Sequence, residues 1–171
     1  MDRRPCVQTI TEELIDAVVA QARQSARRRK NYNFHTGDQD NPHRFLNALL
    51  HGSYVRPHRH LTPPKAESFL VLRGHAAAFV FDDHGVVVSG HILGQGAYPG
   101  RRPSHVTDGS VARGIDLAPG LWHCVAALTP VAVCYEVKPG PWDPATDKEF
   151  PPWAPDEGSA EAVRYLATLL G

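Results

Sequence analysis

Apolar residues at Ile10, Leu14, Ile15, Val18, Val19 and Ala22 recur every three or four positions, the spacing that lines one face of a helix. That spacing predicts a helix over residues 10–29. Thr9 with Glu12 has capping-box spacing, Thr11 competes for the N-cap, and Arg27, Arg28, Arg29 and Lys30 place positive charge at the negative end of the helix dipole. Residues 31–43 are polar, with Gly37, Asn41 and Pro42, and read as a loop. From 44 to 135 the pattern changes to short apolar runs at 45–50, 68–72, 76–81, 86–93, 114–117, 125–128 and 131–137, punctuated by Gly and Pro. Asp82, Asp83, His84 and Gly85 sit between two β-prone runs and predict a hairpin turn. Short strands with close turns point to an all-β antiparallel sandwich or barrel.

Residues 94–109 interrupt the strands and read as a surface loop, long enough to cover a site. Residues 138–158 carry six prolines and read as an extended strap held against the barrel by Trp142 and Trp153. Ser159 then caps a short C-terminal helix with Ala162, Val163, Leu166, Leu169 and Leu170 on its apolar face. The organisation is a single domain: an N-terminal helical segment over 1–30, a barrel with its strap over 31–158, and a terminal helix over 159–171.

Composition narrows the function. The 171 residues are 42% hydrophobic and 21% charged, ordinary for a globular protein, with 18 basic and 18 acidic side chains in balance. That balance supplies no global attraction to nucleic acid or to an anionic membrane. Cys6, Cys124 and Cys134 are too few for a disulfide framework, and the charged start lacks the apolar core of a signal peptide. No apolar run approaches the length of a spanning helix. The expectation is a cytoplasmic protein with reduced thiols. The anomaly is ten histidines.

Two of them, His58 and His60, are two apart, so on a strand both imidazoles face one side. Glu67 opens the next apolar run, where a neighbouring strand brings a carboxylate to the same point. Pro119 and Gly120 make a turn that sets His123 at the start of another strand. Imidazoles suit Zn, Fe, Ni and Cu, and a carboxylate oxygen extends the choice toward Mn. His35, His43, His51, His75, His84, His91 and His105 read as structural or exposed, with His35 and His75 closest to being exceptions. Arg59 alternates with the histidines and faces away, toward an ion pair. Arg56 and Tyr54 share the histidine face and are candidates for binding substrate, as is Lys65 on the turn. For Arg56, pairing with an anionic ligand competes with pairing to a strap carboxylate, Asp147 or Glu149.

Gly52, His58, His60, Glu67 and Gly74 resemble the first cupin motif, with six residues between His60 and Glu67 where the common pattern has three or four. Gly114, Pro119 and His123 resemble the second motif, without the residue between Pro and Gly and without its closing Asn. The stretches NYNFH, RFLNALL, GSYVRPHRH, PPKAE, KPGP, TDKEF and WAP, spread over residues 30–158, are similar to the WbuC family of cupin-fold metalloproteins. The resemblance implies a small jelly-roll β-barrel between two helices. It also implies one divalent transition metal per chain (Zn, Fe, Mn or Ni) on His58, His60, Glu67 and His123, and the loose context of O-antigen polysaccharide biosynthesis. Cupin barrels often pair, so a homodimer is expected. Two functional classes follow. One is a metal-dependent enzyme, an isomerase, epimerase, hydrolase or oxygenase, acting on a sugar, sugar nucleotide or similar small polar or anionic molecule. The other is a non-catalytic metal-containing binding protein.

Overall fold

A computed structural model describes residues 7–171, so Cys6 and the charged start lie outside the described residues. The chain orders as α1 (Glu12–Gln24), β1 (Arg29–Asn33), β2 (His43–Leu50), β3 (Glu67–Arg73), β4 (His75–Phe81), β5 (Val87–Gly94), β6 (Val111–Ala112), β7 (Gly114–Leu117), β8 (Trp122–Ala127), β9 (Val131–Lys138) and α2 (Ala160–Leu170). Thr11 is the N-cap of α1, its hydroxyl accepting from the Leu14 amide at 3.2 Å. The helix stops at Gln24, short of the predicted 29, because the basic cluster takes other work. Arg28 turns into the left-handed region (φ 56), and Arg29 and Lys30 begin β1. The Arg28 guanidinium holds the His51 carbonyl, and Arg29 pairs with Glu157 at 2.6 Å.

Two sheets face each other, ordered β1-β2-β9-β3-β7 and β6-β5-β4-β8, antiparallel throughout except for the short parallel pair β5–β6. The period-two alternation of each strand decides its two faces. Ala76, Ala78 and Val80 of β4, Val125 and Ala127 of β8, Phe69 and Val71 of β3, and Ala132 and Cys134 of β9 point into the space between the sheets. The opposite residues of β2 and β9, Leu46, Ala48 and Val133 among them, pack under Ile15, Val18, Val19 and Ala22 of α1. Phe79 and Phe81, on the outer face of β4, are covered by the 94–109 segment and by α2 through Val106, Tyr98 and Leu169. That segment is therefore a packed cover.

The β4–β5 hairpin turns at Asp82, whose carboxylate accepts from the amides of His84 and Val86, with Gly85 at φ 85. Gly74 between β3 and β4 sits at φ 72, and a Cβ there would fall 2.1 Å from the Val131 carbonyl oxygen, so only glycine makes this corner. Among the described residues no helix is long and apolar enough to cross a membrane. Phe79 is fully buried. Phe79→Ala is expected to lower unfolding stability by about 3–5 kcal/mol in a urea titration.

Candidate metal centre

His58 and His60 lie on an extended segment wedged between the start of β8 and the strap. On one side His58 and His123 exchange backbone hydrogen bonds of 3.0 and 2.9 Å. On the other, Arg59 and Glu149 do the same at 3.1 and 3.0 Å. This three-ply arrangement keeps both imidazoles turned inward and turns Arg59 out. There Arg59 forms a bidentate pair with Glu149 at 2.9 and 2.8 Å, its guanidinium 4.1 Å from the Trp122 ring centroid.

Glu67, the first residue of β3, and His123 complete the cluster. The four side chains are buried, and one donor atom from each lies within 4.8 Å of all the others. All three rings are oriented through Nδ1. His58 donates to the Arg56 carbonyl at 2.8 Å, His123 to the Leu121 carbonyl at 2.9 Å, and His60 to the Asp147 carbonyl. A carbonyl oxygen only accepts, so each Nδ1 carries the proton and each Nε2 presents its lone pair to the centre. The consequences are visible in the contacts. His60 Nε2 is buried without a hydrogen bond and lies 3.5 Å from Glu67 Oε2, and His123 Nε2 stands 2.8 Å from the same oxygen. Lone pairs converging on a carboxylate need a cation between them. Donors about 3–4 Å apart fit an ion with bonds of about 2.0–2.2 Å. The residues fit a metal ion.

Burial, reinforced by the nearby Lys148 charge, holds His58 well below the usual imidazole range and keeps it neutral. Burial opposes ionisation of Glu67, but its close contacts with His123, His60 and Glu136 outweigh it and hold the pKa well below the carboxylate range. Glu136 goes the other way: burial, and then the Glu67 charge, push it well above that range. It is a protonated carboxyl that donates to Glu67 while its other oxygen accepts from Asn47 Nδ2 at 3.0 Å. Beneath them Lys138 Nζ lies 3.0 Å from Asp147 and 3.9 Å from Glu67, and Lys65 Nζ lies 2.9 Å from Asp147. Asp147 thus fixes His60 by its main chain and two buried ammonium groups by its side chain.

The substrate candidates do not join this centre. Tyr54 is buried against Tyr165 and donates to the Pro155 carbonyl at 3.0 Å. Arg56 pairs with Asp156 and covers the Phe150 ring at 4.9 Å. Its partner is a strap acid, though neither Asp147 nor Glu149. Residues before His58 leave the strand alternation at Pro57, so sharing an even-numbered register with the histidines does not bring them to the same face. Lys65 is held by Asp147 and by the Pro141 carbonyl at 2.6 Å. The strap is anchored by Asp147 and by Trp153, whose indole donates to Asp83 and packs on Phe81, whereas the Trp142 side chain is exposed. Sequence reasoning did not find Glu136, Lys138, Asp147 or Lys148 as partners of the centre. An inward Glu-x-Lys on an otherwise apolar strand was the available signal for the first two.

Comparison with known proteins agrees at the level of fold. A family described as a domain of unknown function (DUF6016) matches residues 10–93, which hold His58, His60 and Glu67 but not His123. No curated protein matches the chain. Among solved structures, the capsular polysaccharide assembling protein CapF from Staphylococcus aureus is similar over 72% of this chain and 31% of its own, at 18% identity and a TM-score of 0.50. This chain therefore spans about a third of CapF. Protein SO0799 from Shewanella oneidensis matches over 71% and 72% of the two chains, at 10% identity and a TM-score of 0.51. The cupin domain of Schizosaccharomyces pombe Cnp3 matches over 66% and 64%, at 10% identity and a TM-score of 0.44. The likeness to CapF and SO0799 is one of fold, the two facing antiparallel sheets. In this fold the histidine segment lies between β8 and the strap.

Two outcomes are expected. Asp147→Ala leaves two buried ammonium groups without their carboxylate and should destabilise the protein by about 3–5 kcal/mol, read by chemical denaturation. Glu136, whose pKa rises on folding, lends stability below its ordinary value of 4.5 that is lost as pH increases. Glu136→Gln keeps both hydrogen bonds without the ionisable group. The variant should therefore gain stability over the parent as pH rises from about 4.5 to 7. A gap that stays constant or narrows over that range contradicts the assignment.

Proposed function

We infer that the protein binds one divalent transition metal through His58, His60, Glu67 and His123 and is a metal-dependent enzyme acting on a small polar molecule. The observation that carries this reading is the set of three imidazoles, each locked by a backbone carbonyl into the Nδ1–H tautomer, with the Nε2 of His60 and His123 facing Glu67 and one donor atom from each of the four residues within 4.8 Å of the others. Structural zinc sites close all four positions with protein ligands, mostly thiolate, whereas three nitrogens and a carboxylate leave an octahedral ion with open positions. A bound ion would supply Lewis acidity toward a substrate oxygen.

The protein's own groups prepare for that. Burial keeps His58 unprotonated, and the Glu136 proton holds Glu67 in place. Lys148 of the strap influences His58 from beside the ligand set. Although the residue as a whole is exposed, crowding around its ammonium, and then repulsion from Lys138, lower its pKa. It is a proton-bearing group next to the centre that the ligands do not use. The sugar or sugar-nucleotide substrate, and a place in polysaccharide biosynthesis, rest on the WbuC-type resemblance; the likeness to CapF is one of fold.

The test is elemental analysis of protein purified without a polyhistidine tag. About one transition metal per chain is expected, and His58→Ala combined with His60→Ala should remove it. Full metal content in that double variant would refute the assignment. Activity toward small hydroxylated substrates, screened with the metal restored, then separates an enzyme from a binding protein.

A further inference from the structure

Beside the centre the barrel wall is incomplete. β7 ends one sheet and β6 the other, and a cleft of about 310 Å3 opens between them. Its lining includes Val80, Ser89, His91, Leu93, Leu117 and Leu121. The strand registers fix how it meets the ligands. Ser89 pairs with Val80 and Val80 with His123, so one inward row runs from the cleft to a ligand. With strands about 4.8 Å apart, Ser89 stands roughly 10 Å from His123 across the sheet. On the facing sheet Leu117 pairs directly with Glu67. The cleft is thus bounded on both sides by residues one or two strands from the metal ligands.

Alternation along β5 puts Ser89 and His91 on the same inward face as Leu93, which lies in the core between the sheets. Both are partly exposed to the cleft, and neither side chain forms a hydrogen bond within the described residues. Around them the walls are apolar: Val80, Leu93 and Leu117 are buried. The lining holds no cationic side chain, and its one acid, Asp116, turns its carboxylate outward to the Ser68 hydroxyl. Arg56, Arg59, Lys65 and Lys138 are all held by carboxylates elsewhere. A hydroxyl and an imidazole, each able to donate and accept, are set in apolar walls, and the one carboxylate that acts on His91, Asp108, is already engaged by the Ser110 amide and hydroxyl; the pair matches uncharged oxygens on a partly apolar body.

We propose that this cleft binds the body of the ligand, and that the ligand's body is uncharged, with one apolar face and with hydroxyl or carbonyl oxygens that Ser89 and His91 hydrogen-bond. The assignment rests on the metal-dependent reading for the chemistry at the other end of the molecule, but it is testable without turnover. The probe is cis-cyclohexane-1,2-diol, with cyclohexanecarboxylate as its anionic counterpart. Each is titrated into zinc-loaded and metal-free protein while backbone amide shifts are followed by NMR.

The diol should shift the amides of residues 89–91 and 117. Its affinity should fall about five-fold in His91→Ala and in Ser89→Ala, the loss expected for one uncharged hydrogen bond, at unchanged zinc content. Ser89→Trp, which fills the cleft, should abolish the shifts. Absence of these shifts at high millimolar diol, affinity in both alanine variants unchanged from the parent, or tighter binding of the carboxylate than of the diol to metal-free protein overturns the proposal. Uptake of no zinc by a protein that still shows the shifts and their loss on substitution would overturn the metal reading alone and leave the cleft assignment standing.

Discussion

A carboxylate inside an apolar barrel must be matched by protons or positive charge, and Glu67 is matched by both. Glu136 gives it a proton to lean on, His123 and His60 face it with their rings, and Lys138 lies beneath it at 3.9 Å. Remove that compensation and the desolvation of Glu67 alone would push the carboxyl toward its neutral form, which neither attracts a cation nor orients an imidazole. Everything else at this end of the barrel is arranged around keeping the group ionised. β9 contributes Glu136 and Lys138 from its inward face, β2 contributes Asn47 to hold Glu136, and the strap contributes Asp147 to hold the lysines.

The same logic explains which parts of the structure were legible in the sequence. Strands with one apolar face, such as those carrying Phe79, Val125 and Val133, announce themselves through alternation, and the His58, His60, Glu67 and His123 set announces itself through spacing. β1 does not, because Arg29, Lys30, Asn31, Tyr32 and Asn33 form a polar edge strand that meets β2 on one side only. The end of α1 at Gln24 is hidden in the sequence for a related reason. Charge at 27–30 satisfies a helix terminus as well as it satisfies the contacts Arg28 and Arg29 make with His51, Tyr54 and Glu157, and only tertiary structure chooses.

Arg56 shows the limit of extrapolating a strand period through proline. Alternation holds from His58 to His60, where backbone pairing on both sides enforces it, and fails before Pro57, where that pairing ends. The prolines of the strap make it legible as an extended, docked segment, and its largest side chains, Trp142 and Trp153, suggest themselves as anchors. Trp153 does anchor it. The second anchor is an aspartate, because the barrel beneath needed a negative charge more than it needed another ring.

The ligand set is also spread along the chain in a way that bears on how the molecule folds. His58 and His60 precede β3, Glu67 opens it, His123 arrives after four further strands have been threaded, and the carbonyl that orients His60 belongs to Asp147. No contiguous piece of the chain holds the site, and its contacts rank among the longest loops the fold has to close. Ordering such contacts comes with a large entropic penalty, so they form late, and slowly, relative to local hairpins such as β4–β5. A cation that recognises only the finished cluster therefore acts on the completed barrel and not on its intermediates. It would slow unfolding while leaving the rate of folding nearly unchanged.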